Sequence, residues 1–169
     1  MEVDYLVKKL ESQAEIIRHM IADVGDEQAR WKPDAESWSI LEVINHLYDE
    51  EREDFRRQLE IILHHPGQPL AEIDPRGWVT QRQYNRRELA ESLENFLEER
   101  CASITWLESL PALDWTAGTD TPFGRISAGD MAASWAAHDL LHIRQLVELR
   151  WAYSCELVKP YKVDYAGSW

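Results

Sequence analysis

Residues 127–153 read SAGDMAASWAAHDLLHIRQLVELRWAY, from Ser127 to Tyr153. Ser127 with Asp130 forms a helix-start signal, because a side-chain oxygen ahead of the helix and an acid three residues later can satisfy its first free N–H groups. Neither proline nor a second glycine follows Gly129 within the stretch, so one long helix is predicted. On a helical wheel Met131, Trp135, His138, His142, Leu146 and Leu149 share one face. The opposite side, Ala136, Leu140, Ile143 and Val147, is apolar too. A helix apolar all round is expected to be covered on both sides, and a second copy of the chain would do this, making a homodimer.

Working outward, three more helices appear. Val3, Leu6, Leu10, Ile17, Met20 and Val24 follow a helical period over residues 3–23. Ser39 and Glu42 form a second capping box that opens a helix running to about Leu63, with His64-His65-Pro66-Gly67 as its stop. Leu89, Leu93, Phe96, Leu97, Ile104, Leu107 and Leu110 mark a third long helix, started near Asn85 and Glu88 and stopped by Pro111. The connections over 65–84 and 111–126 are long, and residues 154–169 read as irregular. No strand and no internal repeat is predicted. The expected fold is all-α, a four-helix bundle with long inter-helix loops, formed by residues 1–169 as one domain.

The totals agree. A chain of 169 residues is long enough to bury a real core. A net charge of -13 argues against a nucleic-acid backbone or an anionic membrane as partner. No apolar run approaches membrane-spanning length, and the acidic N-terminus lacks a signal pattern, so a cytoplasmic protein is expected. Two cysteines without a CxxC motif fit a reducing compartment, and Cys101 reads as a small core residue. Eight tryptophans are expected mainly in the core.

The chemistry is concentrated in histidines. His138 and His142, at i and i+4, lie one turn apart on the inward face, where two imidazoles can share one ion. His46, in Leu41-Glu42-Val43-Ile44-Asn45-His46-Leu47, lies on the flank of its helix's core stripe, a position suited to the mouth of the bundle. Three imidazoles leave coordination positions open, as catalytic sites do, whereas structural zinc sites use four protein ligands. The plainer reading is that buried histidines are hydrogen-bonded core residues. His138-Asp139-Leu140-Leu141-His142 departs from the zinc-protease pattern by its Asp, which is shorter than Glu and turned away. No paired Glu-x-x-His, Walker loop, G-x-S-x-G or dinucleotide fingerprint is present. His64 and His65 read as helix-end residues.

Trp31-Lys32-Pro33, then Trp38-Ser39-Ile40-Leu41-Glu42-Val43-Ile44-Asn45-His46-Leu47, then His138-x-x-x-His142-x-x-Gln145 resemble the DinB-like (YfiT-like) metalloprotein superfamily, over about residues 5 to 152. The resemblance implies a four-helix bundle, often dimeric, with a divalent metal held by His46, His138 and His142. Zinc or nickel is the first expectation for that ion, manganese or iron the next. The resemblance also implies a thiol-S-transferase using a low-molecular-weight thiol such as bacillithiol, mycothiol or glutathione on a small electrophilic substrate. A metal-dependent hydrolase and a non-catalytic metal-binding stress-response protein are the alternatives. Asp49 and Glu50, one turn beyond His46, read as surface charges or as groups that orient a ligand. Trp135 and Met131 are candidates for the pocket wall, with core packing as the plainer role. Gln145 is a candidate to hold His142. No catalytic residue is assigned. Tyr165 and Trp169 in the tail have no assigned role.

Overall fold

The computed structural model describes residues 2–65, 67–122 and 124–167. Pro66 of the expected helix stop and Trp169 of the tail lie outside the described residues. Four long helical elements make the body, as their apolar stripes predict. These are α1 (Val3–Ile21), a second element from α3 (Ile40–Asp49) to α4 (Arg56–His64), α6 (Leu89–Ser109) and α7 (Ala128–Leu157). Short α2 (Asp26–Arg30) and α5 (Pro75–Gln81) lie in the connections. α1 packs against α6 and α7, α3 packs against α6 and α7, and α4 packs against α7.

The second element departs from one regular helix. Between α3 and α4, residues Glu50–Phe55 form a π-helical turn. Such a turn holds one more residue than an α-turn and changes which side chains face inward. Here it buries both Glu50 and Glu51.

Both capping boxes are present. The Ser39 side chain accepts from the Glu42 N–H while the Glu42 carboxylate accepts from the Ser39 N–H, and Ser127 and Asp130 do the same at α7. α7 continues to Leu157, past the expected Tyr153, because no breaker occurs before Pro160. α6 begins with Glu88 as N-cap. Asn85 instead lies in a 3₁₀ turn, Tyr84–Arg86, where its side chain accepts from Ser39 Oγ at 2.7 Å.

Three expectations are corrected. A small antiparallel hairpin is present, β1 (Gly118–Thr121) paired with β2 (Gly124–Ser127), where no strand was expected. It needs few side chains: Thr119 faces Ile126, and Gly124 turns at φ 116°. Cys101 is exposed rather than in the core, since the inward positions of α6 are taken by Phe96, Arg100, Ser103 and Leu107. The tail contains a 3₁₀ turn, Asp164–Ala166, on which Tyr165 is fully exposed.

The core has two main apolar clusters. One holds Ile17, Ile40, Leu41, Ile44, Leu47, Phe96 and Leu146. The other holds Leu6, Leu10, Phe55, Leu59, Leu107, Met131 and Trp135. On the outer side of α7, Leu140 and Val147 are exposed, while Ala136 and Ile143 are half-buried against the two clusters. No described helix is long and apolar enough to cross a membrane.

Candidate metal centre

α3 and α7 bring His46, His138 and His142 together. One ligand-type atom from each lies within 4.8 Å of the other two. His138 Nε2 and His142 Nε2 are 3.1 Å apart. The His46 ring centroid lies 5.3 Å from that of His138 and 4.6 Å from that of His142. His46 is buried, and not at the open mouth its flank position implied, because Trp38 from the preceding loop covers it with ring centroids 4.8 Å apart.

Each imidazole is neutral at ordinary pH. Burial, followed by the neighbouring His142 and His138, pushes His46 down from 6.5 to about 2. Burial, followed by His142 and Arg100, pushes His138 down to about 3. Burial lowers His142 as well, opposed by its hydrogen bond to Gln145. Neutral imidazole is the form that ligates a metal.

Gln145 lies where its spacing predicts. Its Oε1 accepts from His142 Nδ1 at 2.8 Å. That bond places the ring proton on Nδ1 and leaves the Nε2 lone pair facing His138.

Asp49 and Glu50 are both buried, which corrects the surface reading. Asp49 turns away from the histidines. It accepts from the Tyr84 hydroxyl, lies 2.7 Å from Arg82 Nη1 and 3.1 Å from Arg52 Nη2. Glu50 turns toward them. Its Oε1 lies 3.9 Å from His46 Nδ1, and its Oε2 lies 4.0 Å from His138 Nε2. These distances are too long for hydrogen bonds, and a neutral imidazole is no counter-charge. Among the described residues, His46 Nδ1 and Glu50 Oε1 are both buried polar atoms without a hydrogen-bond partner. Burial, then the nearby Asp54 and Asp49, raise the Glu50 carboxyl well above the usual range.

This donor set fits a divalent cation. Three neutral imidazole nitrogens converge, and two orphaned buried polar atoms face each other beside them. For metal–nitrogen bonds of about 2.0–2.1 Å, two tetrahedral ligands lie roughly 3.4 Å apart. The His138–His142 separation is near that, and the Glu50 separations exceed it. Glu50 stands beside the three histidines, within about the same spacing as they have from one another.

Trp135 does not line the site. It is buried, stacks on Phe55 at 5.9 Å between ring centroids, and donates from Nε1 to Glu51 Oε2 at 3.0 Å. Met131 belongs to the core. Phe55 instead touches the site, 5.0 Å from the His138 ring centroid. A cleft of about 720 Å³ is lined by Trp38, Arg76, Gln145, Glu148 and Leu149, and the histidines are not part of its lining. Trp38 and Gln145 each touch both the cleft and a histidine.

The Trp-Ser-x-x-Glu-x-x-x-His stretch now has a physical reading. Lys32 Nζ lies 2.7 Å from Glu42 Oε2, and that same oxygen accepts from the Ser39 N–H. Lys32, Ser39, Glu42 and Asn85 thus lock the start of α3 about two turns before His46.

The DinB superfamily model matches residues 9–146. The chain belongs to the DinB superfamily. A solved structure described as YfiT from Bacillus subtilis, "a probable metal-dependent hydrolase with an unusual four-helix bundle topology", is similar with a TM-score of 0.78 at 17% sequence identity. The similarity covers 90% of this chain and 88% of that one, and at that identity it speaks to the shared fold. No curated protein matches the chain in sequence.

Proposed function

We propose that this DinB protein is a metal-dependent enzyme that joins a nucleophile to a small electrophilic molecule held in the cleft. The observation that carries the reading is the convergence of His46, His138 and His142 within 4.8 Å of one another, linked to that cleft through Trp38 and Gln145. Zinc and nickel suit three imidazoles best, with manganese and iron as the other candidates. When bound, such an ion supplies Lewis acidity and favours the anionic form of a thiol or a water.

The chain's own residues do the rest. Gln145 orients His142, and Trp38 shields the His46 and His142 rings from bulk water. The partial exposure of His138, whose side chain is 19% accessible, leaves the site approachable. In the thiol-transfer reading, sulfur forms a bond to the electrophilic carbon. The leaving group departs with the electron pair of its old bond and takes up the thiol proton.

Glu50 favours the second reading, hydrolysis. Its unpartnered Oε1 is an acceptor facing the histidines, placed to take a hydrogen bond from a water and aim it. The description of YfiT as a probable metal-dependent hydrolase points the same way.

The test begins with elemental analysis of protein purified without a His-tag, beside the triple variant His46→Ala, His138→Ala, His142→Ala. About one divalent ion per chain, lost in a variant that stays folded, supports the enzyme. Thiol-transfer and hydrolysis assays on that metal-loaded protein then separate the two reactions. Loss of the fold with the metal supports a non-catalytic metal-binding protein. A wild type that takes up no zinc, nickel, manganese or iron overturns the proposal.

A further inference from the structure

Arg100 is fully buried on α6, and all of its N–H groups are used. Nε donates to Glu51 Oε1 at 2.8 Å, and Nη2 donates to Glu51 Oε2 at 2.9 Å. Nη2 also donates to Asp139 Oδ1 at 3.0 Å, and Nη1 to Asp139 Oδ2 at 2.7 Å. The last N–H, on Nη1, goes to the Leu10 carbonyl at 2.9 Å. One guanidinium therefore ties together α1, the π-turn, α6 and α7. Its two acidic partners each sit next to a site residue: Glu51 follows Glu50, and Asp139 follows His138.

We propose that Arg100, with Glu51 and Asp139, is a positioning device for the metal centre. The proposal rests on reading the three histidines as metal ligands. Two arguments carry it. First, the group is a poor choice if stability alone were at stake. It buries one cation with two anions, and apolar side chains of similar volume often do as well or better in such a place. Second, the geometry has what apolar packing lacks. A guanidinium is planar and rigid, and binds carboxylates in a two-pronged fork. Engaged on both sides, it fixes the distance and register between the π-turn and α7. The Glu51 side of the fork also holds the wide turn open. If that turn relaxed to a regular helix, the residues beyond it would rotate by about 100° per residue of slip. The contact of Phe55 with the His138 ring would then be lost. Metal sites tolerate displacements of roughly 0.5 Å, so their supports matter as much as their ligands.

The experiment uses the full chain loaded with Co(II), whose visible spectrum reports ligand number and geometry. The variant Arg100→Met, Glu51→Leu, Asp139→Leu replaces the charged group by apolar side chains, and Asp139→Asn is a milder second variant. Melting temperature, Co(II) affinity by chelator competition, and the spectrum are measured for each. The triple variant is expected to stay folded, with its melting temperature lowered only by the loss of partners for the Trp135 indole N–H and the Leu10 carbonyl. It is also expected to bind Co(II) about 10–100-fold more weakly, with a shifted spectrum. Asp139→Asn moves affinity the same way by less. A folded triple variant with wild-type affinity and spectrum overturns the proposal, since the group is then only structural. If the triple variant does not fold, unchanged Co(II) affinity and spectrum in Asp139→Asn overturn it, and a weaker, shifted site supports it. A wild type that binds no Co(II) removes the metal reading itself, and this is seen before any variant is compared.

Discussion

Acid should destabilise the metal-free protein through His46, and the amount can be worked from its environment. The ring is buried against Trp38, His138 and His142, and its Nδ1 has no partner. Burial carries it from an ordinary 6.5 to about 2 in the fold. The unfolded chain therefore binds a proton between these values while the folded chain does not. Stability contributed by the neutral ring is full above pH 6.5 and falls as pH drops toward 2. Integrating from pH 7 to pH 5 gives a loss of about 2 kcal/mol for this one group. Glu50 and Asp54 oppose it, because their raised carboxyl groups favour the folded state more at lower pH. A variant comparison cancels that opposition. In urea denaturation with EDTA present, wild type should lose about 2 kcal/mol more between pH 7 and pH 5 than His46→Leu does. An equal loss in both proteins would refute the assignment, for it would mean that folded His46 accepts a proton near its ordinary pH.

Three further outcomes are expected. Arg100→Met alone leaves Glu51 and Asp139 buried without a cation, and should cost about 3–5 kcal/mol. At about 2–4 °C per kcal/mol for a chain of this length, calorimetry should show a fall in Tm of roughly 6–20 °C. Gln145→Ala frees the His142 ring and should weaken zinc binding about 10–100-fold in a chelator competition, with little change in metal-free stability. Ser39→Ala removes the α3 cap and the partner of Asn85, and urea unfolding should show a loss of about 1 kcal/mol or more.

The helices and the paired histidines of α7 were legible because they depend on local chemistry. Ser127 and Asp130 cap α7, and His138 and His142 share a face with Met131 and Trp135 because an α-helix repeats every 3.6 residues. The second element was legible at both ends, and only the π-turn over Glu50–Phe55 was not. Asp49, Glu50 and Glu51 are consecutive acids, which in a regular surface helix would splay toward solvent. Their burial depends on partners distant in sequence: Tyr84 and Arg82 for Asp49, Arg100 and Trp135 for Glu51. One signal was available. Phe96, Arg100, Ser103 and Leu107 follow a single helical stripe, and an arginine on such a stripe must have buried acids to meet. The hairpin was missed because four residues on each side of a turn leave little alternation to read.

Those three acids also bear on what the site needs. A buried carboxylate is stable when cations or N–H groups satisfy it. Asp49 has two arginines and a tyrosine hydroxyl, and Glu51 has the Arg100 fork and an indole N–H. Glu50, between them in sequence and equally buried, has no arginine or lysine among the ion pairs of the described residues. Its neighbours are neutral imidazoles and the carboxyl of Asp54, to which it is hydrogen-bonded, so without a metal the demand for positive charge there is met by a retained proton. The point where that demand is greatest is also where the three histidine nitrogens converge. A divalent cation there answers both at once, offering the nitrogens a shared ligand and Glu50 the counter-charge that its two neighbours in the chain already have.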